Sequence, residues 1–465
     1  MKDFFKKNVL AIITFQAKFV LKKNNPTIIA VTGNLGKTST KDFIYCALKD
    51  NLVDNNGETL VISSKKSMNS DFGIPLTILE LPSGWDNPIL WIKIIFQGFV
   101  KMFDKMVFKY LVLEVGADTP GDIKKVCKYI KPDITIVTGF AEVPVHIEFF
   151  GGDRNRLVRE KKYLVDNLKE RGTFIYNLDD KDCQNMAEES KNRNINFKSF
   201  SIKNPEADIF AEDINTDTHK NENSIIKLDG ISANLNLKNS EIKTINIKMH
   251  NVLGDAIIYS LMPSILISEI LNIDLEKAVK DIENSKRTNG RMKILDGIYN
   301  SIIIDDTYNA SPKAVVHGID TIKKIEVSKK KIFVLGDMLE LGDFTKIEHE
   351  KIGEKVVGNC DILITSGIRA NIIATSAIKH GMSGENVFPM NNSIEAGREL
   401  LKILEIETEE DYKKGKTEKE IGGNLIFIKG SQGSRMERVV KMILAENHDS
   451  NVDLVRQDNI WSQKN

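Results

Sequence analysis

A glycine-rich segment near the start of the chain carries the clearest chemical signal. Residues 32–40 read Thr-Gly-Asn-Leu-Gly-Lys-Thr-Ser-Thr. They follow the apolar run 28–31, which predicts a short buried strand, and precede residues 41–48, which predict a helix. A glycine loop between a strand and a helix lets backbone N–H groups and the positive end of the helix face one anion. We therefore expect a phosphate-binding loop (P-loop) here, and the alternative is a surface turn.

Each residue type in this segment suits a nucleotide triphosphate. Gly33 and Gly36 let the backbone approach phosphate oxygens closely, Lys37 reaches the outer phosphates, and the Thr38 hydroxyl holds Mg²⁺. The common signature has one more glycine two residues before Gly33, where Val31 stands instead. The segment therefore indicates a shortened P-loop.

Three more polar residues follow predicted strands or lie on predicted helices. Glu114 stands near the end of the apolar strand 110–115, and ligands of open α/β sheets collect at the carboxyl ends of strands. It is placed to bind a metal beside the loop, or it is simply an exposed carboxylate. His146 follows the strand 134–138, although a lone histidine is more often structural. By residue type alone, Lys161 is a solvated charge.

Composition excludes several classes of protein. The 465 residues suffice for two or three domains, and 41% hydrophobic with 28% charged residues describes a soluble globular protein. Lys and Arg total 65, as do Asp and Glu, so no net charge draws the chain to nucleic acid. The four cysteines show no metal-like spacing, which suits a reducing cytoplasm.

The order of predicted elements favours an α/β fold. Strands and helices alternate from residue 27 to about 200, which argues for a mostly parallel sheet. Residues 203–249 carry short alternating segments that predict a small antiparallel sheet, and residues 251–284 look helical. A second, Rossmann-like α/β pattern follows, with predicted strands at 302–304, 331–335, 362–365 and 424–428.

These patterns divide the chain into four parts. They are an N-terminal amphipathic helix (1–26), a central P-loop domain with a mostly parallel sheet plus a small antiparallel sheet (27–286), a C-terminal α/β domain (287–447) and a loose polar tail (448–465). Residues 407–419 predict a charge-rich loop. The apolar segments 9–21 and 89–108 are interrupted by polar residues, so we expect no stable membrane insertion. Three alternatives stay open for these two segments: packing on the body of the protein, peripheral membrane contact, or binding of a partner.

Several motifs occur in an order that resembles the Mur ligases. They are the P-loop segment, Leu-Glu-Val-Gly-Ala-Asp (113–118), His-Ile-Glu-Phe-Phe-Gly-Gly (146–152), Met-His-Asn (249–251), Gly-Arg-Met (290–292), Asp-Asp-Thr-Tyr-Asn-Ala-Ser-Pro (305–312), Leu-Gly-Asp-Met-Leu-Glu-Leu-Gly (335–342) and Lys-Gly-Ser (429–431). The last three, with residues 69–76, are most similar to the branch that acts on D-alanyl-D-alanine. The resemblance covers residues 27 to about 445.

The resemblance implies an ATP-dependent, ADP-forming amide ligase of peptidoglycan precursor synthesis. Its substrates would be ATP, a UDP-sugar peptide (UDP-N-acetylmuramoyl-tripeptide) and D-alanyl-D-alanine, joined through an acyl phosphate. We expect a cytoplasmic monomer that binds no nucleic acid. Two alternatives stay open: a ligase of the same mechanism with another carboxylate and amine, such as folylpolyglutamate-type or poly-amino-acid ligation, or a non-catalytic nucleotide-binding scaffold.

The resemblance also assigns roles to residues at matching positions. Catalytic roles go to Lys37, Glu114, His146 and Lys161. ATP would be bound by Gly33, Asn34, Leu35, Gly36, Lys37, Thr38, Ser39, Asn251, Arg291 and Asp306. Two Mg²⁺ ions would be held by Thr38, Glu114, His146 and Lys161, the last carbamylated by CO₂. Substrate would be bound by Asn69, Tyr308, Asn309, Lys429 and Ser431.

Three features depart from the family pattern. Only 26 residues precede the P-loop strand, where the closest branch carries a domain that grips the UDP-sugar. We expect that recognition to be lost, moved to residues 83–109, or supplied by a partner. Gly254 stands where the family usually has asparagine, in a position that bears on adenine contacts. Gln432 replaces an arginine, and glutamine cannot bind a carboxylate as a charged bidentate partner.

Overall fold

The computed structural model contains two α/β units, each built on one mostly parallel sheet, joined by a short linker at residues 284–292. It describes residues 2–64, 68–84, 87–104, 108–222, 224–417 and 420–457. Within these residues a nine-stranded sheet precedes the linker and a six-stranded sheet follows it. The expected α/β fold class is confirmed.

The first sheet is built around a strand that is buried on both faces. Its parallel strands are β1 (Thr27–Thr32), β2 (Val61–Ser63), β3 (Tyr110–Glu114), β4 (Ile134–Val137), β5 (Thr173–Asn177) and β6 (Asn196–Ser201). They lie in the order β2-β3-β1-β4-β5-β6, so β1 pairs with β3 on one side and with β4 on the other. The carboxyl ends of β1, β3 and β4 therefore meet at one edge, where open α/β sheets bind ligands.

The antiparallel strands extend this same sheet. They are β7 (Ile209–Lys220), β8 (Ile226–Leu237) and β9 (Thr244–His250). Strand β7 runs parallel to β6 through two residue pairs, and β8 then pairs antiparallel with both β7 and β9. The antiparallel region expected from the sequence is therefore present, and it is continuous with the parallel strands.

Helices cover both faces of the first sheet. They are α1 (Lys2–Asn24), α2 (Lys37–Lys49), α3 (Gly73–Leu79), α4 (Pro88–Phe103), α5 (Asp122–Val126), α6 (Arg154–Asp166), α7 (Lys181–Glu189), α8 (Asp255–Ile270) and α9 (Leu275–Glu283). Apolar side chains of α1, α3, α4 and α6 form one buried core, and those of α2, α8 and α9 form the other. No helix in the described ranges has both the length and the apolar character needed to cross a bilayer.

The second sheet is parallel except at one edge. Its strands are β10 (Lys293–Asp296), β11 (Ile302–Asp306), β12 (Lys331–Gly336), β13 (Ile362–Ser366), β14 (Val387–Met390) and β15 (Leu425–Lys429). The order is β10-β11-β15-β12-β13-β14, with β10 antiparallel to β11. Its helices are α10 (Pro312–Lys323), α11 (Thr345–Val356), α12 (Ala370–Lys379), α13 (Ser393–Lys413), α14 (Glu437–Ile443) and α15 (Ser450–Asp453).

Two segments expected to be irregular are ordered instead. Residues 407–413 of the expected charge-rich loop belong to α13. On this part of the helix Asp411 is buried and pairs with Lys329 at 3.0 Å. The expected loose tail is packed over residues 448–457, where Leu454 is buried. The remaining tail residues lie outside the described part. The prediction of irregular structure from polar composition was wrong here, because the charged side chains of these segments pair with residues distant in sequence.

Arg456 anchors this C-terminal segment to the second unit. Its guanidinium group donates to the backbone carbonyl of Tyr308 at 3.0 Å and to the carboxylate of Glu437 at 2.7 Å. Both Arg456 and Glu437 have nearly buried side chains. The segment therefore supports the loop that follows β11.

Candidate active site

The P-loop is shaped by two glycines and by a threonine from the neighbouring strand end. Gly33 adopts φ 137°, and a Cβ there would lie 2.1 Å from Thr138 Oγ1. Gly36 adopts φ 75° as the residue before α2. The Thr138 hydroxyl donates to Leu35 O at 2.5 Å, and the Asn34 backbone N–H donates to Gly139 O at 2.8 Å. Because only glycine fits both positions, the loop backbone stays close to the strand ends, as a phosphate cradle requires.

Glu114 is fixed beside the P-loop by two hydrogen bonds. It is the last residue of β3 and is 2% exposed. Its Oε2 accepts from the Thr38 hydroxyl at 2.9 Å, and its Oε1 accepts from the Asn69 amide at 2.9 Å. Asn69, which the sequence assigns to substrate, thus lies against this carboxylate. The arrangement aims a negative charge and a hydroxyl oxygen at the place where a nucleotide-bound cation would lie.

Two lysine amines lie in the same buried region. Lys161 is 2% exposed, and burial together with the positive charge of Lys37 lowers its pKa to about 7. Burial also lowers the pKa of Lys37, against the opposing charge of Glu114. The adjacent Lys162 instead pairs with Asp166 at 2.7 Å near the surface. Lys161, not its neighbour, is therefore the amine held in a low-dielectric site.

The inward position of Lys161 follows from the way α6 is anchored. The helix begins at the cap residue Asp153, which accepts backbone N–H groups of the first turn. Glu160 is buried and accepts the backbone N–H groups of Gly121 at 2.9 Å and of Ile123 at 2.8 Å. With Leu164 also buried, this face of α6 points into the unit and carries Lys161 with it.

His146 lies where the two units touch. Its backbone is left-handed, with φ 69°, and it precedes a short 3₁₀ turn. Its Nδ1 lies 3.0 Å from Glu340 Oε2 of the second unit, and its Nε2 lies 3.6 Å from Asp118 Oδ1. The close approach of His146 lowers the pKa of the Glu340 carboxyl. Asp118 and Glu340 were not selected from the sequence, although both stand within the quoted motifs.

A second charged cluster lies at the carboxyl ends of β11 and β15. Lys429 Nζ lies 2.6 Å from Asp306 Oδ2 and donates to Asn309 O at 2.9 Å. Burial lowers the pKa of Lys429, and the Asp306 charge opposes this shift. Ser431 Oγ accepts from Leu339 N at 2.9 Å. Four residues assigned from the sequence are thus brought together.

Arg291 lies between the two clusters. Its guanidinium carbon is 4.0 Å from the centre of the Tyr308 ring. Its charge helps to lower the pKa of Lys37 in the first unit and of Lys429 in the second. Its buried Nε has no hydrogen-bond partner among the described residues. Arg291 and Ser39 also line a cleft between α2 and the linker. An anion between the units would supply the missing acceptor.

Asn251 is placed differently from the other expected nucleotide contacts. Its side chain is exposed and lines a separate cleft with His219 and Lys293. Its backbone, at φ 57°, donates to Asp229 O and accepts from Ile294 N. The structure does not bring this side chain to the charged clusters.

One of the departures from the family pattern has a local structural explanation. Gly254 precedes α8 at φ 91°, a conformation that an asparagine side chain would strain. Gln432 uses its backbone N–H to donate to Asn309 Oδ1 at 3.3 Å. Because any residue other than proline can make this backbone bond, it does not explain why glutamine stands at position 432.

Direct contacts hold the two units face to face around the clusters. Lys313 Nζ of the second unit donates to Phe140 O of the first at 2.9 Å, and the His146–Glu340 pair adds a second contact. In the linker, Thr288 Oγ1 donates to Asp42 Oδ2 at 3.2 Å. The linker between α9 and β10 lies on one side of this junction. Both units therefore contribute residues to one site.

The first cluster suits Mg²⁺ in the presence of a nucleotide. Across the part of the chain that the structure describes, no group of three or more His, Cys, Asp or Glu could hold a metal by itself. Mg²⁺, however, usually takes one or two protein carboxylates together with phosphate oxygens and waters. The buried Thr38 and Glu114 oxygens fit that requirement.

This combination defines a two-unit α/β protein in which a P-loop unit and a second parallel-sheet unit share a charged site. Residues 93–254 match the Mur ligase middle domain, and residues 290–411 match the Mur ligase glutamate ligase domain. The chain belongs to the Mur ligase family.

Relatives of one branch cover most of the chain. The UDP-N-acetylmuramoyl-tripeptide–D-alanyl-D-alanine ligase of Bacillus subtilis is 26% identical over 430 residues, which are 92% of this chain and 78% of the relative. A MurF crystal structure from Acinetobacter baumannii has a TM-score of 0.69 at 21% identity and covers 93% of this chain and 80% of that chain. MurF from Thermotoga maritima, in complex with ADP, has a TM-score of 0.66 at 22% identity, with 93% and 83% covered.

Proposed function

We propose that the protein is an ATP-dependent amide ligase that joins D-alanyl-D-alanine to a UDP-N-acetylmuramoyl-tripeptide and releases ADP and phosphate. One observation carries the reaction type: Arg291 lies close enough to both clusters for its charge to lower the pKa of Lys37 at the P-loop and of Lys429 in the second unit. Such a site can hold a triphosphate and a second substrate at once. The choice of substrates rests on the names of the relatives.

The first step would activate the substrate carboxylate. A carboxylate is a poor electrophile, so transfer of the γ-phosphoryl group converts it into an acyl phosphate. Two anions must meet for this, and Lys37 with the N-terminus of α2 offsets their repulsion. Arg291 would reach the same phosphates from the second unit, since its buried Nε needs an acceptor. Bound Mg²⁺ would add Lewis-acid stabilisation of the transferring group.

Lys161 would serve this step as a carbamate. Its pKa of about 7 makes a large share of its amine neutral near pH 7, and only the neutral amine adds to CO₂. The amine loses a proton as its nitrogen bonds to the CO₂ carbon, which leaves a carboxylate-like group. That group relieves the repulsion from Lys37 and, with His146, provides ligands for a second Mg²⁺.

The second step would use the cluster of the second unit. The amine of D-alanyl-D-alanine attacks the acyl carbon, a tetrahedral intermediate forms, and phosphate leaves. Tyr308 and Asn309 lie on the loop after β11, and the buried Asp306–Lys429 pair fixes that loop. Contact between the units excludes water from an intermediate that hydrolyses readily. The linker residues Ser285–Gly290 would act as the hinge.

We further propose a cytoplasmic monomer with domains at 27–286 and 287–447. All four cysteines are free thiols, which suits a reducing compartment. Burial raises the pKa of Cys127 to about 12, so this thiol stays protonated and unreactive. Light scattering of the purified protein would measure the mass in solution.

The deciding experiment measures phosphate release by the purified protein with ATP and Mg²⁺. UDP-N-acetylmuramoyl-tripeptide is supplied with and without D-alanyl-D-alanine, and mass spectrometry detects the new amide. We expect turnover only when both substrates are present, and none from Lys37→Ala. ATP binding without turnover on this pair would overturn the choice of substrates. Other carboxylate–amine pairs, including folylpolyglutamate-type substrates, would then be screened.

A further inference from the structure

The outer surface of α1 and α4 carries a row of exposed apolar side chains, which we name the apolar face. Its members are Phe15, Phe19, Ile92, Phe96, Phe99 and Phe103. Phe103 is 75% exposed, Phe96 is 70% and Ile92 is 64%. Single exposed apolar residues are ordinary, but a contiguous patch of large ones marks an interaction surface.

Helix α4 has two separate apolar stripes. The inner stripe includes Trp91, Ile94 and Met102, which are buried against the body of the first unit. The outer stripe recurs every three or four residues along the opposite side of the helix and stays in solvent. The inner stripe already packs α4 against the body of the first unit, so packing within the chain does not explain the outer stripe.

The two helices form one rigid platform. Gln16 Nε2 donates to Ile95 O at 2.9 Å, and Gly98 lets the helices approach so closely that a Cβ there would lie 2.1 Å from Gln16 Oε1. The Phe19 and Phe103 rings have centroids 5.9 Å apart, so the exposed side chains of α1 and α4 are continuous. The apolar face is therefore a single surface.

The platform is strongly basic although the chain is neutral overall. The sequences of α1 and α4 together contain eight lysines and one aspartate, whereas the whole chain has 65 residues of each charge sign. Lys6, Lys7, Lys22 and Lys93 are exposed. Helix α4 contains no acidic residue. Aromatic and aliphatic side chains flanked by lysines are typical of helices that lie in the interface of an anionic membrane.

We propose that the apolar face docks on an anionic lipid surface, with α1 and α4 lying in the plane of the interface. The lysines would contact lipid phosphates, and the phenylalanines would enter the boundary of the acyl chains. A second copy of the chain fits less well, because it would bring two sets of lysines together. Neither helix is long and apolar enough to cross the bilayer, so the contact is peripheral.

The test is co-sedimentation of the full chain with vesicles. One set contains phosphatidylcholine with about one-third phosphatidylglycerol, and the other contains phosphatidylcholine alone. We expect about tenfold or stronger preference for the anionic vesicles, because several lysines each contribute near the surface. High salt should reduce this preference, since it screens the charges. Equal or absent binding to both sets would overturn the proposal.

Variants distinguish vesicle binding through the apolar face from nonspecific binding by any exposed apolar side chain. The triple variant Phe96→Ser, Phe99→Ser and Phe103→Ser should lose vesicle binding while its circular-dichroism melting curve stays unchanged. The matched control Ile368→Ser removes an 85% exposed isoleucine from the second unit and should bind like the original protein. The double variant Lys22→Glu and Lys93→Glu should reduce the preference for vesicles that contain phosphatidylglycerol.

Two results would refute this assignment directly. In the first, the control loses binding as much as the triple variant. In the second, light scattering shows a dimer that the triple variant abolishes, with no vesicle binding by the original protein. A second copy would then cover the apolar face.

Discussion

Replacing Lys161 with alanine is the sharpest test of the proposed mechanism. Burial and the charge of Lys37 lower its pKa from 10.5 to about 7. At pH 7 about half of its amine is therefore neutral, against roughly one part in three thousand for an ordinary lysine. This neutral fraction makes reaction with CO₂ feasible at neutral pH. Because the neutral form increases as pH rises through 7, carbamate formation should rise over the same range at fixed dissolved CO₂.

The assay has a spectroscopic arm and a kinetic arm. Protein equilibrated with ¹³C-bicarbonate should show one slowly exchanging carbamate carbonyl signal by NMR, absent in Lys161→Ala. The same variant should lose ligation on the order of a hundredfold, because it removes preorganised charge at the reacting centre. Short carboxylic acids should restore part of the rate by occupying the vacated space.

Lys162→Ala is the matched control, since the neighbouring lysine is paired with Asp166 outside the site. It should keep the labelled signal and the rate. The reasoning is refuted if Lys161→Ala retains both signal and rate, or if the control loses them. A signal that grows as pH falls below 7 would contradict the assigned pKa direction.

Three more perturbations follow from the geometry. Gly33→Ala should raise KM for ATP and cost about 2 kcal/mol of stability, because the new Cβ would lie 2.1 Å from Thr138 Oγ1. The control is Gly57→Ala, which is also at positive φ but has no atom within 4 Å of the new Cβ, and it should leave KM unchanged. His146 holds the pKa of the Glu340 carboxyl below 4.5, so the stabilising contribution of this carboxylate exists at neutral pH and is lost as pH falls through the lowered pKa. In His146→Ala the carboxyl pKa, measured by NMR titration, should move back toward 4.5. An unchanged pKa would disprove the contact. Arg456→Ala should lower stability by about 2 kcal/mol through the loss of its charged hydrogen bonds, since Glu437 keeps the Arg435 guanidinium at 2.6 Å. A denaturant midpoint equal to that of the original protein would contradict this.

Features set by a few adjacent residues could be predicted from the sequence. The P-loop position follows from a strand, two glycines and Lys-Thr in direct succession, because left-handed backbone and close approach are local demands. The place of Glu114 at a strand end also follows, since the topology of parallel sheets decides which edge carries ligands. The α/β class needed only the alternation of elements.

Features set by contacts between distant segments could not be predicted in the same way. Asn69 lies 45 positions from Glu114, and nothing in its local sequence indicates that it supports this carboxylate. Glu340 meets His146 across two units, so the pair exists only when the units are assembled. The roles assigned to Asn69 and His146 stay predictions, whereas their positions are described.

The C-terminal segment has a practical consequence for anyone shortening this protein. Its polar composition invites removal of everything after residue 447. Such a cut would take away the Val452 carbonyl that accepts from Asn289 at 2.7 Å in the linker, and Asp453, which pairs with Lys293 at 2.8 Å. It would therefore loosen the joint between the units and damage ligation kinetics in a preparation that looks well folded. An affinity tag is better placed after residue 457, the last described position.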